Sequence, residues 1–398
     1  MLETNFLSNV PVQTDSFAWV PPPLTKQRHA VIISDVHPEP TYAASLTMHR
    51  HLVERGGFQI TSLPLNADAN SVLASIQGRL KNSRLHRYVI DWEFLSNSWI
   101  NNESGLPDTS ELGPNSFVFT LAHGSGCWVA QRFAKKHGLP LVVRFDDWWP
   151  DMIQAHAPIR KRVENSYREL YRAADCAICI SDGMREALGS HPNAHVIVPI
   201  PKVAEAPARK IGHARPLRVC YLGNLYEYGP MLAELENAST NEKDLRFEFR
   251  GGSPRWPNEL IRKLVGENRL HAFAEGAEFQ DWFESFHIYL VAMFFEPEQR
   301  RRVETCFATK LTEYSSLGRP IVIWAPESAA IVKWARRTGA AVCVTDSRPQ
   351  ALIDRLRKMA VDPNGLDELS RKARQAYESE FSPSRLQKKF IEAIESVF

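Results

Sequence analysis

The chain has 398 residues, more than one hydrophobic core usually holds, so its length predicts two domains. A hydrophobic content of 44% and a charged content of 24% are typical of a globular protein that folds in water. The net charge of +2 lacks the strongly basic balance of nucleic-acid-binding proteins, so no nucleic acid is expected as a partner.

The N-terminal stretch and the apolar runs predict where the protein works. Residues 1–28 are polar, contain several prolines and have no apolar period, which indicates a surface arm. No basic segment followed by an apolar one occurs there, so no signal peptide is expected. The longest apolar run, residues 288–295, is far too short to span a bilayer. These features predict a cytoplasmic protein.

Cysteine usage agrees with that location. Cys176 and Cys179 lie in an apolar run typical of a strand, where side chains three positions apart project to opposite faces. That geometry suits neither a zinc site nor a redox pair. We expect the six cysteines to be reduced and mostly buried: Cys127, Cys176, Cys179, Cys220, Cys306 and Cys343.

A β-α-β pattern opens the first half of the chain. Residues 30–34 and 58–65 predict strands, and residues 42–57 predict the helix between them, which makes the sheet parallel. The loop after the first strand contains His37 and no glycine, so it is not a dinucleotide site of the GxGxxG kind.

The alternation of strands and helices continues to about residue 201. Residues 71–81 predict a helix and residues 87–94 a strand-like run. Further strands are predicted at 116–124, 139–145, 175–181 and 194–201, with helices at 125–138 and 159–174 and a short one from 182. Residues 1–201 are therefore expected to form an N-terminal domain with a parallel sheet.

Residues 202–216 are rich in Ala, Pro, Lys and Arg without an apolar period, which predicts a linker. A second alternating series then fills residues 217–380, the expected C-terminal domain. We expect the last helix, within 381–398, to cross back to the N-terminal domain. The predicted fold class is α/β, with two Rossmann-like domains that face each other across a cleft.

Residues 304–320, ETCFATKLTEYSSLGRP, predict a helix with a lysine in its first turn. Lys310 and Glu313 are one turn apart, so their side chains can lie on the same side of the helix. A cationic helix start suits an anion, and a carboxylate one turn further can accept hydrogen bonds from sugar hydroxyls. Together they indicate a nucleotide site. An ordinary amphipathic helix with a solvated Lys310–Glu313 ion pair is the alternative.

This stretch resembles the S/T-K-L-x-E-Y-x-x-x-G-x-P signature of glycosyltransferases with the GT-B fold, particularly the GT4-like group. Residues 142–151, VVRFDDWWPD, resemble the R-x-D-L-W-P segment of GT4-like enzymes that act on membrane-linked acceptors. The resemblance extends from about residue 115 to 345. It implies a hexosyltransferase of polysaccharide or glycoconjugate biosynthesis. Such an enzyme moves a sugar from a nucleotide-diphosphate sugar to a hydroxyl of a glycan or lipid-linked acceptor. The resemblance also implies retention of configuration, with neither metal nor other cofactor.

The resemblance places the donor on the second half of the chain. Glu313 would bind the ribose, Gly223 would let the backbone approach the diphosphate, and Arg250 would lie at the loop that flanks the base. Many GT4-like enzymes carry an Arg and a Lys soon after the position of Gly223, and both are missing here. Arg250 is the first expected substitute cation and Lys310 the second. The predicted donor-binding residues are Gly223, Asn224, Arg250, Gly251, Thr309, Lys310 and Glu313.

Catalytic and acceptor-binding residues are also implied by the resemblance. His123 matches the histidine placed over the donor sugar, Asp147 the aspartate of the second segment, and Glu304 a glutamate near the donor sugar. Glu304 and Glu313 have eight residues between them, where the family usually has seven. The predicted acceptor-binding residues are His37, Asp146, Trp148 and Trp149.

Three smaller stretches have a structural alternative. The glycines of AHGSG, residues 122–126, open a helix whose start suits an anion or a donor platform. The run Arg300-Arg301-Arg302 is either a phosphate contact or a solvated face. In ISDGMREAL, residues 180–188, Ser181 is expected to cap a helix and Met184 to pack.

Two other classes of function stay open. A nucleotide-sugar epimerase or an inverting transferase would use the same fold. A degenerate GT-B protein that binds a glycan or partner without turnover would fit the missing cations. Peripheral contact with an anionic inner membrane is a further hypothesis. It depends on basic residues of the predicted N-terminal helices: Lys135, Lys136, Arg160, Lys161, Arg162, Arg168 and Arg172.

Overall fold

The computed structural model describes residues 27–41, 43–63, 86–96, 112–202, 215–252, 254–274 and 276–398. Most of the predicted arm, the predicted helix at 71–81 and most of the predicted linker lie outside these ranges. Within them the chain forms two parallel sheets with helices on their faces, as the sequence predicted.

The first sheet has the strand order β2-β1-β3-β4-β5-β6, and all its described pairs are parallel. Its strands are β1 (His29–Ile33), β2 (Gln59–Leu63), β3 (Ser116–Leu121), β4 (Leu141–Phe145), β5 (Cys176–Cys179) and β6 (Ala194–Val196). Its helices are α1 (Ala43–His49, continued by a π-helical turn at Arg50–Glu54), α2 (His86–Ser96), α3 (Gly126–His137), α4 (Trp149–Met152), α5 (Ala157–Ala173) and α6 (Asp182–Leu188).

The second sheet has the order β12-β11-β10-β7-β8-β9 and is also parallel. Its strands are β7 (Leu217–Leu222), β8 (Leu245–Arg250), β9 (Leu270–His271), β10 (Ile288–Ala292), β11 (Ile321–Trp324) and β12 (Val342–Val344). Its helices are α7 (Gly229–Ala238), α8 (Asn258–Gly266), α9 (Ala277–Glu284), α10 (Arg300–Thr305), α11 (Thr309–Ser316), α12 (Ala330–Thr338), α13 (Pro349–Ala360), α14 (Pro363–Ala376, continued by a π-helical turn at Tyr377–Phe381) and α15 (Pro383–Glu395).

The central strands are buried on both faces because helices cover both sides of each sheet. Cys176 packs with one face of the first sheet and Cys179 with the other, as their spacing predicted. All six cysteines are free.

The prediction of a strand over residues 87–94 is wrong, because this segment lies in the helix α2. Its β-branched and aromatic residues favour a strand locally. However, Ile90 and Phe94 are four residues apart, one helical turn, and both pack against the core of the first half. Tertiary packing therefore decides the conformation of this segment.

The last helix, α15, packs on the first sheet although the chain has by then completed the second. Leu386, Phe390 and Ile394 join the core that contains Ile32 and Phe119. Arg28 and Glu395 close the same contact with a bidentate ion pair, at 3.0 and 2.8 Å. The C-terminal helix thus ties the two halves together on the side away from the cleft loops.

Loops that follow the strands of the two sheets meet between the halves. Ser181, after β5, accepts a hydrogen bond from Met184 N at 2.9 Å, which confirms the predicted helix cap. Its hydroxyl also donates to the carbonyl of Thr305 at 2.5 Å. A side chain at Gly183 would collide with the Glu304 carbonyl, so a glycine is needed at this close approach.

Among the residues that the structure describes, every helix is too short or too polar to span a bilayer.

Candidate active site

The loops after β4 and β10 meet at the centre of the cleft. Cys306 Sγ lies 3.0 Å from Oδ1 of Asp147 and 3.7 Å from the carbonyl oxygen of Asp146. Burial raises the pKa of the Cys306 thiol well above its usual value, and the negative charge of Asp147 acts in the same direction. The thiol is therefore protonated and donates to the carboxylate.

His123, after β3, lies beside the same pair of carboxylates. Burial raises the pKa of Asp146, while the Arg144 guanidinium, 2.8 Å away, and His123 oppose that shift. The His123 ring centroid is 5.9 Å from that of Trp149. The structure thus brings three predicted site residues, His123, Asp146 and Asp147, to one edge of the first sheet.

Trp148 and Trp149 are core residues in this structure. Trp148 is completely buried, with its ring 5.4 Å from that of Tyr167, and Trp149 packs 5.3 Å from the ring of Trp128. Neither ring offers a free face to an acceptor sugar, contrary to the expectation from sequence. Their apolar surface fills the space under the loop that carries Asp147.

The start of α3, a predicted anion site, is occupied by a carboxylate of the protein itself. Asp35, in the loop after β1, accepts a hydrogen bond from Gly126 N at 2.6 Å. Two residues further on, His37 shares a hydrogen bond of 2.8 Å with the Ser62 hydroxyl. His37 therefore lies at the same end of the first sheet as His123, beside an acidic group that the sequence analysis did not single out.

On the second half, three predicted donor residues form one contact cluster. Gly223 has a φ of 136°, and a side chain there would collide with Cε of Lys310. A side chain at Gly251 would collide with the Gly223 carbonyl. Lys310 Nζ lies 3.2 Å from the Tyr221 hydroxyl and 4.7 Å from the centre of that ring. The backbone at Gly223 and Gly251 and the amine of Lys310 thus line the same small space.

Burial lowers the pKa of Lys310 to about 8, and Glu227 opposes that shift. In the described ranges, no carboxylate lies within ion-pair distance of the amine. A bound anion would favour the charged form of the amine and would gain a charge-assisted hydrogen bond.

The loop after Gly223 carries an anion, Glu227, where the resemblance to GT4-like enzymes would lead one to expect cations. Glu227 accepts two hydrogen bonds from the Arg302 guanidinium, each of 3.1 Å. Asn224 donates to Glu227 at 2.8 Å, and its side-chain oxygen accepts from the backbone N–H groups of Tyr226 and Glu227 at 2.9 Å. The Asn224 amide therefore organises its own loop.

Arg250 faces α9 and not the space beside Lys310. Its backbone carbonyl accepts a hydrogen bond from Gly223 N at 2.8 Å, but its guanidinium lies over the rings of Trp282, at 4.2 Å, and Phe279, at 5.5 Å. The guanidinium makes no hydrogen bond or ion pair with any residue that the structure describes. The structure thus separates the first expected substitute cation from the second.

Glu313 reaches the first half of the chain. Its carboxylate accepts from Arg50 at 2.6 Å and from the backbone N–H of Lys202 at 3.1 Å. The alternative Lys310–Glu313 ion pair is absent from the described contacts of either residue. Glu304 accepts from Arg300 at 2.7 Å, one turn away on α10. Thr309 begins α11.

Many solved structures have a similar fold, whereas neither sequence comparison finds a match. No family model matches the sequence, and no curated protein matches it. HepE of Anabaena in complex with UDP and glucose is similar, with a TM-score of 0.61 at 11% identity, over 93% of this chain and 100% of that one.

Two synthases are similar at the same level. Sucrose-phosphate synthase of Thermosynechococcus elongatus has a TM-score of 0.60 at 12% identity, over 91% of this chain and 97% of that one. The UDP-forming trehalose-phosphate synthase of Burkholderia xenovorans, in complex with glucose-6-phosphate, has 0.58 at 10%, over 92% and 100%. The chain therefore has the GT-B glycosyltransferase fold, with two Rossmann-like halves on either side of a cleft.

Proposed function

We propose that this chain is a glycosyltransferase that moves a sugar, a hexose by family resemblance, from a nucleotide-diphosphate sugar to an acceptor hydroxyl. The observation that carries the proposal is that the predicted donor residues Gly223, Gly251 and Lys310 lie together on the second half, while Asp147 and His123 lie at the end of the first sheet that contacts the second half through Cys306. The solved relatives support a nucleotide sugar, since HepE is described with UDP and glucose.

Lys310 is the charged group that would meet the diphosphate. Departure of a nucleoside diphosphate builds up negative charge, which must be stabilised by cations and backbone N–H groups. The glycine backbone at 223 and 251 lets the diphosphate approach closely, and Lys310 lies against Gly223. Burial lowers the pKa of Lys310, and a bound anion would oppose that shift.

The sugar would lie between Lys310 and the carboxylates of the first half. Asp147 and His123 can bind sugar hydroxyls, and Glu304 lies on α10 beside the cleft loop that carries Cys306. His37 is the accessible member of the predicted acceptor set, because Trp148, Trp149 and Asp146 are buried. A GT4-like, retaining, metal-independent reaction in glycoconjugate or polysaccharide synthesis is part of the proposal through the sequence resemblance.

A panel of nucleotide sugars tests the proposal. Thermal-shift measurements would identify the donor, and release of nucleoside diphosphate with glycan or lipid-linked acceptors would establish turnover. Binding with turnover supports the transferase. Interconversion of the sugar without an acceptor would indicate an epimerase. Failure of every nucleotide sugar to bind a well-folded sample would refute the proposal.

A second candidate is a binding protein without turnover. It is favoured by the internal pairing of two groups at the cleft, since Glu313 is bound to Arg50 and Glu227 to Arg302. Binding of a nucleotide sugar, with no release of diphosphate in the presence of acceptors, would support this candidate over the enzyme.

We also propose that a lipid-linked acceptor is reached at an anionic bilayer through α2. Tyr88, Trp92 and Leu95 recur at helical spacing and are exposed, on the face opposite Ile90 and Phe94. Packed beside α2, α5 exposes Arg160, Lys161 and Arg162, whose charge complements anionic lipid.

Flotation with anionic vesicles tests this surface. Wild-type protein should float with the vesicles, Trp92→Glu should stay behind, and Val361→Glu, an exposed apolar position on the other half, should behave as wild type. Wild-type protein that stays unbound would remove the membrane contact from the proposal.

A further inference from the structure

We propose that Arg302 and Lys310 together form the diphosphate site of this chain, and that Glu227 fills the Arg302 half of the site until a nucleoside diphosphate displaces it. The inference rests on the proposed function, because it names how the donor is held. It also explains how the chain can lack the two cations that GT4-like enzymes carry after the position of Gly223.

Arg302 differs from the two arginines that precede it. The side chain of Arg300 is 73% exposed, whereas that of Arg302 is 17% exposed. In α10 the three residues point in different directions, about 100° apart, so the run is neither wholly a solvated face nor wholly a phosphate contact. Arg302 points into the cleft, with its guanidinium 5.3 Å from the centre of the Phe294 ring.

Phe294 connects the two cations. Its ring stacks on that of Tyr228 at 4.4 Å, and Lys310 Nζ lies 5.3 Å from the centre of the Tyr228 ring. Arg302 and Lys310 therefore border one aromatic platform from different elements. Tyr228 belongs to the loop after Gly223, where the family usually places its cations. In this chain the two cations lie instead on α10 and α11.

Glu227 has the geometry of a stand-in for a phosphate. Its two carboxylate oxygens take one N–H each from the fork of Arg302, which is how a guanidinium also binds a phosphate group. Its side chain is 35% exposed, so the carboxylate can turn out into solvent without crossing the core. The Asn224 amide also donates to one of these oxygens, Oε2, at 2.8 Å.

The exchange leaves neither Arg302 nor the ligand unpaired. Arg302 keeps a bidentate anionic partner before and after binding, so the site stays preorganised at little desolvation cost. Lys310, by contrast, has only the Tyr221 hydroxyl as a hydrogen-bond partner among the described residues, and it gains its anion when the ligand arrives. The carboxylate of Glu227 competes with the diphosphate for Arg302, which weakens donor binding in the wild type.

Calorimetric titration with UDP, GDP and ADP tests the inference on wild type, Glu227→Gln and Arg302→Ala. Glu227→Gln should bind the preferred diphosphate about tenfold more tightly, because the competing charge is gone. Arg302→Ala should bind it about 10- to 100-fold more weakly. Binding of the corresponding nucleoside, which has no phosphate, should change in neither variant.

Glu242→Gln and Arg357→Ala are matched controls, because Arg357 donates to both carboxylate oxygens of Glu242 at a distance from the cleft. Both should titrate as wild type. If wild type binds a diphosphate and Glu227→Gln binds it no more tightly, the inference is overturned, even if Arg302→Ala fails to fold. If only Glu227→Gln binds, the inference is supported in its strongest form. If neither protein binds any nucleoside diphosphate or any nucleotide sugar, the proposed function fails and the inference with it.

Discussion

The thiol of Cys306 lies 3.0 Å from the carboxylate of Asp147, so a residue of the second half donates a hydrogen bond to a candidate catalytic residue of the first. This contact fixes the Asp147 carboxylate at the centre of the cleft. It also means that the position of Asp147 depends on how the two halves are docked.

The first prediction concerns the reactivity of that thiol. Burial and the nearby carboxylate raise the pKa of Cys306, so the thiolate that reacts with alkylating agents is scarce at pH 8. We expect iodoacetamide to modify Cys306 far more slowly in the native protein than in guanidinium chloride, as measured by peptide mass spectrometry. Equal rates in the two states would contradict the buried Cys306–Asp147 contact.

The second prediction is a pH dependence of nucleotide binding. Burial lowers the pKa of Lys310 to about 8, so the free protein loses this positive charge as the pH rises through that value. Affinity for the preferred nucleoside diphosphate should therefore be highest below pH 8 and fall between pH 8 and pH 9.5. Lys310→Arg, which stays charged, should remove the decline. A flat wild-type profile would argue against Lys310 as the phosphate ligand.

The third prediction tests the close approach at Gly223. Alanine there meets a positive φ and collides with the Lys310 side chain, so the free energy of unfolding should fall by about 1–2 kcal/mol. Displacement of Lys310 should also weaken nucleotide binding. Gly266→Ala is the control, since nothing lies within 4 Å of a side chain there, and it should lose neither property. Unaltered binding by Gly223→Ala would show that the donor lies elsewhere.

The fourth prediction concerns the ion pair between Arg50 and Glu313. Arg50 also donates to the carbonyl of Ile200 at 2.7 Å, so Arg50→Ala removes two buried contacts. Chemical denaturation should show a loss of about 2 kcal/mol. If Glu313 binds the ribose, freeing it from Arg50 should strengthen nucleotide binding while Glu313→Ala weakens it. Identical nucleotide affinity in the wild type and both variants would show that Glu313 connects the two halves and does not bind the nucleotide.

The sequence was sufficient to predict the two sheets and the loops that line the cleft. Most of the buried strands lead through a loop into a helix, and parallel connections place those loops at one end of a sheet. Gly223, Gly251 and Lys310 come together for this reason, although Lys310 lies 87 positions after Gly223 in the chain.

The hydrogen-bond partners of the charged side chains could not be predicted in the same way. Three such contacts join residues that are far apart in the chain. Arg302 and Glu227 are 75 positions apart, Arg50 and Glu313 are 263 apart, and Asp35 and Gly126 are 91 apart. No local period or spacing encodes them. The burial of Trp148 and the helical state of α2 were missed for a related reason, since packing against distant residues decided both.

Donor turnover by the wild type and by Lys310→Ala is the most direct test of the central claim. Release of nucleoside diphosphate should be measured with the nucleotide sugar that most stabilises the wild type, in the presence of glycan and lipid-linked acceptors. We expect acceptor-dependent release by the wild type, and a loss of about 10- to 100-fold in kcat/KM for Lys310→Ala in a protein that still folds. Two results would contradict the account. One is release of nucleoside diphosphate by Lys310→Ala with the same kcat/KM as the wild type, and the other is a wild type that binds no nucleotide sugar.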